Sequence, residues 1–221
     1  MRRPLALALS ALLAGSALVC LDARASSLVH VKASVSIAVL FEPLVASSDA
    51  VAVVVPTEST SVWEDGRIYT YTRAKVDSPV GGEVASEVWI RTRGGVVGKI
   101  GQSVDGEAVF AKDKPSLVFL RKGASGTFDV SARAQGQFPV VVDDAAKTRR
   151  LIRAANVGVL YPPKELLAVA ASKPGQVQTQ SAPQPAAGGR TPVLAADMIH
   201  GRPVDEATRD IAAAWKRLHP R

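Results

Sequence analysis

Residues 91–102 read RTRGGVVGKIGQ and place Gly94, Gly95, Gly98 and Gly101 around Lys99. Glycines beside a lysine are the ingredients of a phosphate-binding loop, in which backbone N–H groups and an ammonium cradle an anion. The spacing fails. Such a loop needs four residues between its first glycine and the Gly-Lys pair, whereas Gly94 leaves three and Gly95 leaves two. Ile100 stands where a magnesium-holding hydroxyl belongs, and no amphipathic helix follows. The glycines cannot be arranged as G-x-G-x-x-G either. The stretch therefore reads as a glycine-rich turn between strands, where positive φ and close backbone approach are needed.

The other candidates for chemistry are as dispersed. His30 lies near the N-terminus, and His200 and His219 lie in the C-terminal tail. The sequence has no H-E-x-x-H and no cysteine pair that would hold zinc. It has no G-x-S-x-G elbow, and Gly123-Ala-Ser-Gly126 is the nearest echo of one. The adjacent acids Glu64-Asp65 and Asp143-Asp144 fall in turns, where carboxylates bond the local backbone or face water. Neither sits in a D-x-D-x-D-G calcium loop. No metal and no cofactor are expected, and the chain is read as no enzyme. A hydrolase using Ser125 or Asp129 is the residual catalytic alternative, because nothing passes the geometric checklist for a catalytic constellation.

A stronger signal lies in two alternating segments. In Ile68–Val76, Tyr69, Tyr71, Arg73 and Lys75 share one face and Ile68, Thr70, Thr72, Ala74 and Val76 the other. In Ser86–Arg93, Trp89, Arg91 and Arg93 oppose Val88, Ile90 and Thr92. Period-two alternation marks half-buried strands. If the two are neighbours, Tyr69, Tyr71, Arg73, Trp89, Arg91 and Arg93 interleave rings and cations on one sheet, a surface that stacks planar groups and pairs anions. The plain alternative is that aromatic residues favour strands and arginine and lysine protect exposed ones.

The elements that must position these residues are mostly strands. Ala50–Val55 is a short apolar run, followed by a polar turn region, Thr57–Gly66, ending in the hairpin signal Asp65-Gly66. Ser116–Arg121 is nearly all apolar and is expected to be a central strand buried on both faces. Gly126-Thr127 opens a further strand through Phe128 and Val130, and Gln137–Val142 with Arg149–Ala154 forms a last hairpin. Short helices are expected at Leu40–Ser47 and, after Pro163, at Lys164–Ser172. Lys173–Pro192, rich in Pro, Gly, Gln, Ser and Ala, reads as a flexible linker. Beyond it Val204–Leu218 returns to helical spacing, with Ala207, Ile211, Trp215 and Leu218 on one face. That helix either docks on the barrel or offers Ile211, Trp215 and Leu218 to another protein's groove.

Arg2 and Arg3, the apolar run Leu5–Leu21 and Ala23-Arg24-Ala25 have the form of a secretory signal peptide, with cleavage expected after Ala25. Lipoprotein processing at Cys20 is the competing reading, weakened by the bulky Val19. Cleavage removes the only cysteine, so a packed core rather than a disulfide must hold the mature chain. It also lowers the formal net charge from +7 to +5, which suits anionic partners but is no polybasic tail. The mature chain is expected in the periplasm or the medium, as a monomer without a transmembrane anchor.

Several segments carry a resemblance: Val62-Trp63-Glu64 with Gly66–Thr70, Val88–Thr92, Gly94–Gly98, Ile100-Gly101-Gln102, Gly106-Glu107-Ala108 with Phe110, Leu117–Arg121 and Ala134–Phe138. Across residues 48–155 the chain resembles a group of uncharacterised exported bacterial β-barrel proteins. The element order is more faintly similar to netrin-like domains, an OB-type barrel used by tissue inhibitors of metalloproteases. That resemblance implies barrel topology only, since the disulfides and N-terminal cysteine of those inhibitors have no counterpart here.

The sequence thus predicts an all-β fold: a small closed OB-like or netrin-like barrel with a short N-terminal helix and a C-terminal helix after a linker. Residues 1–25 are read as the signal peptide, 26–157 as the barrel domain, 158–172 as a short helical extension, 173–192 as the linker and 193–221 as the helical tail. The expected function is an exported, non-enzymatic binding module for an anionic envelope polymer or a protein partner, with nucleic acid disfavoured by export. The alternatives are a protease-associated inhibitor or chaperone of netrin-like type, and the hydrolase above.

Overall fold

The computed structural model describes residues 36–143, 147–155, 157, 159–160 and 192–220. The expected leader with Cys20 and the expected cleavage after Ala25, His30, Asp144, the helix expected at Lys164–Ser172 and nearly all of the expected linker lie outside the described residues.

The longest elements are β2 (Ala50–Glu64) and β3 (Arg67–Gly82), joined at Asp65-Gly66. Both turn residues have positive φ, 48° and 76°, which suits a two-residue hairpin turn to the strand twist. The polar turn region expected at Thr57–Gly66 is therefore corrected. All but its last two residues continue β2, and the turn is confined to the tip. Their polarity has a different cause: this half of the hairpin runs past the core as a ribbon, with Glu58, Ser59, Thr60 and Trp63 exposed. Cross-strand bonds hold it, among them Ser61 Oγ to Thr70 Oγ1 at 2.9 Å and Thr57 Oγ1 donating to Arg73 O at 3.1 Å.

Five strands close a barrel. β3 pairs with β4 (Glu87–Arg93), and β2 pairs on its other edge with β7 (Ser116–Lys122). The short β8 (Phe128–Val130) closes the ring, running parallel to β4 and antiparallel to β7. The ring order is β2-β3-β4-β8-β7 and back to β2. Its interior is packed by Ala50, Ala52, Val54, Ala74, Val88, Ile90, Val118, Leu120 and Val130. Small side chains alternate with larger ones because five strands enclose little room.

The opposite faces of β2 and β7 build a second core. Val51, Val53, Leu117 and Phe119 pack with Leu44 and Val45 of α1 (Phe41–Ala46), with Ala195 and Ile199 of α2 (Ala195–Ile199), and with Ala207, Ile211 and Ala214 of α3 (Val204–Leu218). Residues 50–54 and 116–120 are all buried, as continuous apolar runs demand. β9 (Gln137–Asp143) and β10 (Thr148–Leu151) extend the sheet beyond β7 to seven strands. The last hairpin is shorter than expected: β10 stops at Leu151, whose N–H and C=O bond Arg202 O and Gly201 N. A final pair joins β1 (Ser36–Ile37) to β11 (Val159–Leu160) in parallel. The small hairpin of β5 (Gly95–Val97) and β6 (Ile100–Gln102) completes the strands.

The helix spends the face of Ile211, Trp215 and Leu218, which the sequence also offered for a partner's groove, on its own chain. Ile211 is 1% exposed, and Trp215 and Leu218 pack against the same core. Trp215 lies on the backbone of Gly81 and Gly82, where a Cβ on Gly81 would come within 2.5 Å of the indole. Arg217 adds an ion pair to Glu42 of α1 at 2.7 Å. No helix among the described residues is long and apolar enough to cross a membrane.

Candidate binding face and a buried carboxylate

β3 and β4 are neighbours, and their register sets Tyr69 opposite Arg93, Tyr71 opposite Arg91 and Arg73 opposite Trp89. The six residues singled out by alternation thus share the outer surface of one strand pair, while Ile68, Thr72, Ala74, Val88, Ile90 and Thr92 are buried. The middle row continues around the barrel, because Arg91 also pairs with Asp129 of β8, and Asp129 with Arg121 of β7.

Contacts on this face are specific. Arg91 meets Asp129 through two bonds, Nε to Oδ1 at 3.1 Å and Nη2 to Oδ2 at 3.4 Å. Its guanidinium carbon stands 5.1 Å from the Tyr69 ring centre, within cation–π range. Arg73 is held between Glu87, which it bonds through Nε, and Glu58 at 3.1 Å. Tyr71 donates its hydroxyl to both Glu64 oxygens, at 2.8 and 3.0 Å. Burial first, then the Glu64 hydrogen bond and charge, push the Tyr71 phenol above its ordinary range. Bonding to Asp129 likewise raises the Arg91 guanidinium, and bonding to Glu87 and Glu58 raises Arg73. Trp89, 40% exposed, is the face's open ring, and Arg93 is exposed where Arg73 and Arg91 are half-buried.

One member of this neighbourhood escaped the sequence reading. Glu107 is the only buried charged residue among the described residues. Its carboxylate lies 4.0 Å from Arg133 Nε. Burial pushes the acid up, while the Arg133 and Arg93 charges and the Ala108 N–H pull it down and Asp129 pushes it up slightly. The segment around it is pinned from two sides. Ala134 N donates to Gly106 O at 3.0 Å, and the Gln137 amide bonds Val109 N and O at 3.1 and 2.7 Å. No periodic pattern marks Glu107. The sole hint was an acid set directly before the apolar Ala108–Phe110.

The glycine-rich stretch is more than a bare turn: it is the β5–β6 hairpin, laid across the ribbon. Gly95 has φ 134°, and a Cβ there would stand 2.3 Å from Ser61 Oγ and Thr70 Oγ1. Gln102 Oε1 accepts from Ile68 N at 2.7 Å. Of the hydrolase candidates, Asp129 is committed to Arg91, and Ser125 sits in a turn with φ 57°. His219 stacks on Trp215, ring centres 3.9 Å apart, and His200 Nδ1 accepts from Arg153 N at 3.1 Å. No group of three or more His, Cys, Asp or Glu converges among the described residues. No protein-family model, curated protein or solved structure matches the chain.

Proposed function

We propose that this chain is an exported, non-enzymatic binding module, and that the outer surface of β3 and β4 is its ligand face. The observation that carries the reading is the register that interleaves Tyr69, Tyr71 and Trp89 with Arg93, Arg91 and Arg73. An extended polymer bearing both ring faces and negative charge meets such a surface twice, by stacking and by ion pairing. The ring order supports an OB-type reading of the barrel, and in that architecture the second and third barrel strands, here β3 and β4, hold oligomeric ligands. Because Arg73 and Arg91 already have carboxylate partners, an incoming anion competes with Glu58, Glu87 and Asp129. The salt dependence should therefore be shallower than the arginine count implies.

The test is calorimetric titration of the chain with a sulfated dextran and with the uncharged parent dextran. The sulfated chain is expected to bind, more weakly as salt rises. Trp89→Ala should cost roughly 1–3 kcal/mol if a ring stacks there. Salt-insensitive binding, or an unchanged affinity in Trp89→Ala, would remove the reading. A protein partner is the second reading, favoured by Trp63, Val96 and Ile100, which are 54%, 66% and 57% exposed on the ribbon and the β5–β6 hairpin. A binder insensitive to Trp89→Ala but lost in Trp63→Ala would favour it.

A further inference from the structure

The three arginines of the β3–β4 face are not equally available. Arg91 is forked by Asp129, and Arg73 is held between Glu87 and Glu58. A guanidinium that already holds a carboxylate adds little net attraction for a further anion, because the acid must be displaced or left beside it. Arg93 is exposed and makes no ion pair among the described residues. A second exposed arginine lies beyond the strand pair. Arg121 of β7 stands opposite Asp129 in the antiparallel register, and Asp129 stands opposite Arg91 in the parallel one. Partners in register project to the same side of a sheet. Arg121 therefore shares the outer surface with Asp129 and Arg91, while Leu120, Val130 and Ile90 point into the barrel. Like Arg93, it makes no ion pair among the described residues.

The support beneath these groups is a turn and two strand pairings. Gly123 N donates to Thr127 O at 2.8 Å and closes the β7–β8 connection. The same glycine leaves the acid its room, since a Cβ there would stand 3.3 Å from Asp129 Oδ2. Groups fixed in this way are ordered before a ligand arrives. The open groups around the Arg91–Asp129 pair are Trp89, Arg93 and Arg121. Trp89 and Arg93 flank Arg91 two residues to either side on β4, and Arg121 lies two strands away. With about 3.3 Å per residue and about 4.8 Å between strands, the Cα atoms of each open pair are about 12–13 Å apart. An anion midway between Arg93 and Arg121 would sit beside the Asp129 carboxylate. The two cations therefore suit two charges on an extended chain rather than one compact anion.

We infer that Arg121 is the second anchoring cation of the ligand face: an anionic polymer crosses from Trp89 and Arg93 on β4, over β8, to Arg121 on β7, with Arg91 and Asp129 as the fixed spacer beneath it. The inference rests on the reading of the β3–β4 face given above. It adds a binding residue outside that strand pair and a direction, across the strands rather than along the ribbon.

The experiment titrates the full chain with dextran sulfate at several salt concentrations and compares the slopes of log affinity against log salt. Arg121→Gln is expected to weaken binding and to make the slope shallower by about one, the loss of one anion contact, and Arg93→Gln to do the same. The double variant should lose about two. All of these side chains are exposed, so the fold is not at stake. Lys122→Gln removes the same charge one residue further along β7, from a position in register with Phe128 and so on the other side of the strand. It should leave the slope near that of the wild type. An unchanged slope in Arg121→Gln, or an equal loss in Lys122→Gln, overturns the inference. Trp89→Ala separates that failure from failure of the face itself. If Trp89→Ala weakens binding and Arg121→Gln does not, the face stands and the path to β7 falls. If Trp89→Ala is silent while Arg121→Gln flattens the slope, the stacking face falls and Arg121 stands as an anion anchor. If dextran sulfate binds at no salt concentration, both are overturned.

Discussion

Two carboxylates near the same strands live under opposite terms. Asp129 is partly open to water and fully engaged with Arg91, whereas Glu107 is shut away with its nearest cation at 4.0 Å. For Glu107 burial holds the folded-state pKa above the unfolded value. A raised acid favours the folded state only while it is protonated, so its contribution is complete below the unfolded pKa and disappears as pH rises through the folded one. Glu107→Gln removes that dependence. Denaturant unfolding should find the variant more stable than the wild type at pH 7, with the difference vanishing below the ordinary glutamate range. A variant less stable at pH 7 would mean that its ion pairs outweigh its desolvation. Tyr71 gives a second prediction. Tyr71→Phe loses one hydrogen bond to a carboxylate in a half-buried place, and should cost about 0.5–1.5 kcal/mol in the same assay. The Tyr71–Arg91 neighbourhood was legible, because alternation assigns faces without any knowledge of register. Glu107 was not, since its burial is made by a turn far along the chain and leaves no periodic trace.

At the scale of elements, glycine chemistry separates what local sequence specifies from what packing specifies. Gly95 and Gly98 are both positive in φ and both belong to the glycine-lysine run, yet their surroundings differ. Gly95 presses on Ser61 and Thr70 at φ 134°, and Gly98 turns the hairpin in open space at φ 60°. Gly98→Ala should cost about 1–2 kcal/mol, the ordinary penalty of a left-handed non-glycine residue. Gly95→Ala adds a collision to a backbone that alanine rarely adopts, and should lower the thermal midpoint by clearly more. Equal losses would mean that the hairpin does not lean on the ribbon in solution. The same contrast explains the misread half of β2. Residues 57–64 lack an apolar side because no core lies beneath them, so the period-two signal has nothing to report. Pairing with β3 makes them a strand all the same. The alternating β3 and β4 and the apolar β7 were readable because each has a buried face or two.

For the whole molecule, the decisive arrangement is that β2 and β7 serve two cores at once. Ala50, Ala52, Val54, Val118 and Leu120 point into the barrel, while Val51, Val53, Leu117 and Phe119 point at α1, α2 and α3. A closed barrel was foreseeable from strand count and spacing, whereas docking of the C-terminal helix was one of two readings that the sequence left open. Helical periodicity reveals an apolar face without naming what covers it. The ledger of contacts on α3 decides between appendage and structural member: Val204, Ala207, Ile211 and Ala214 are buried, Trp215 rests on the Gly81–Gly82 backbone, and Arg217 reaches Glu42. Removing a buried isoleucine side chain costs about 2–5 kcal/mol, a large share of the stability of a domain this size. Ile211→Ala should therefore shift chemical unfolding by about that amount. A chain stopped after Arg202 should lose its cooperative transition and take up a hydrophobic dye, because the outer faces of β2 and β7 are then left to water. Were the shortened chain to unfold with the midpoint and slope of the full one, the helix would be a passenger, and its apolar face would again be free for another protein. The packing of Trp215 argues for the first outcome. A flexible tail gives no reason for β3 to keep two glycines beneath one indole, whereas a helix docked on every molecule does.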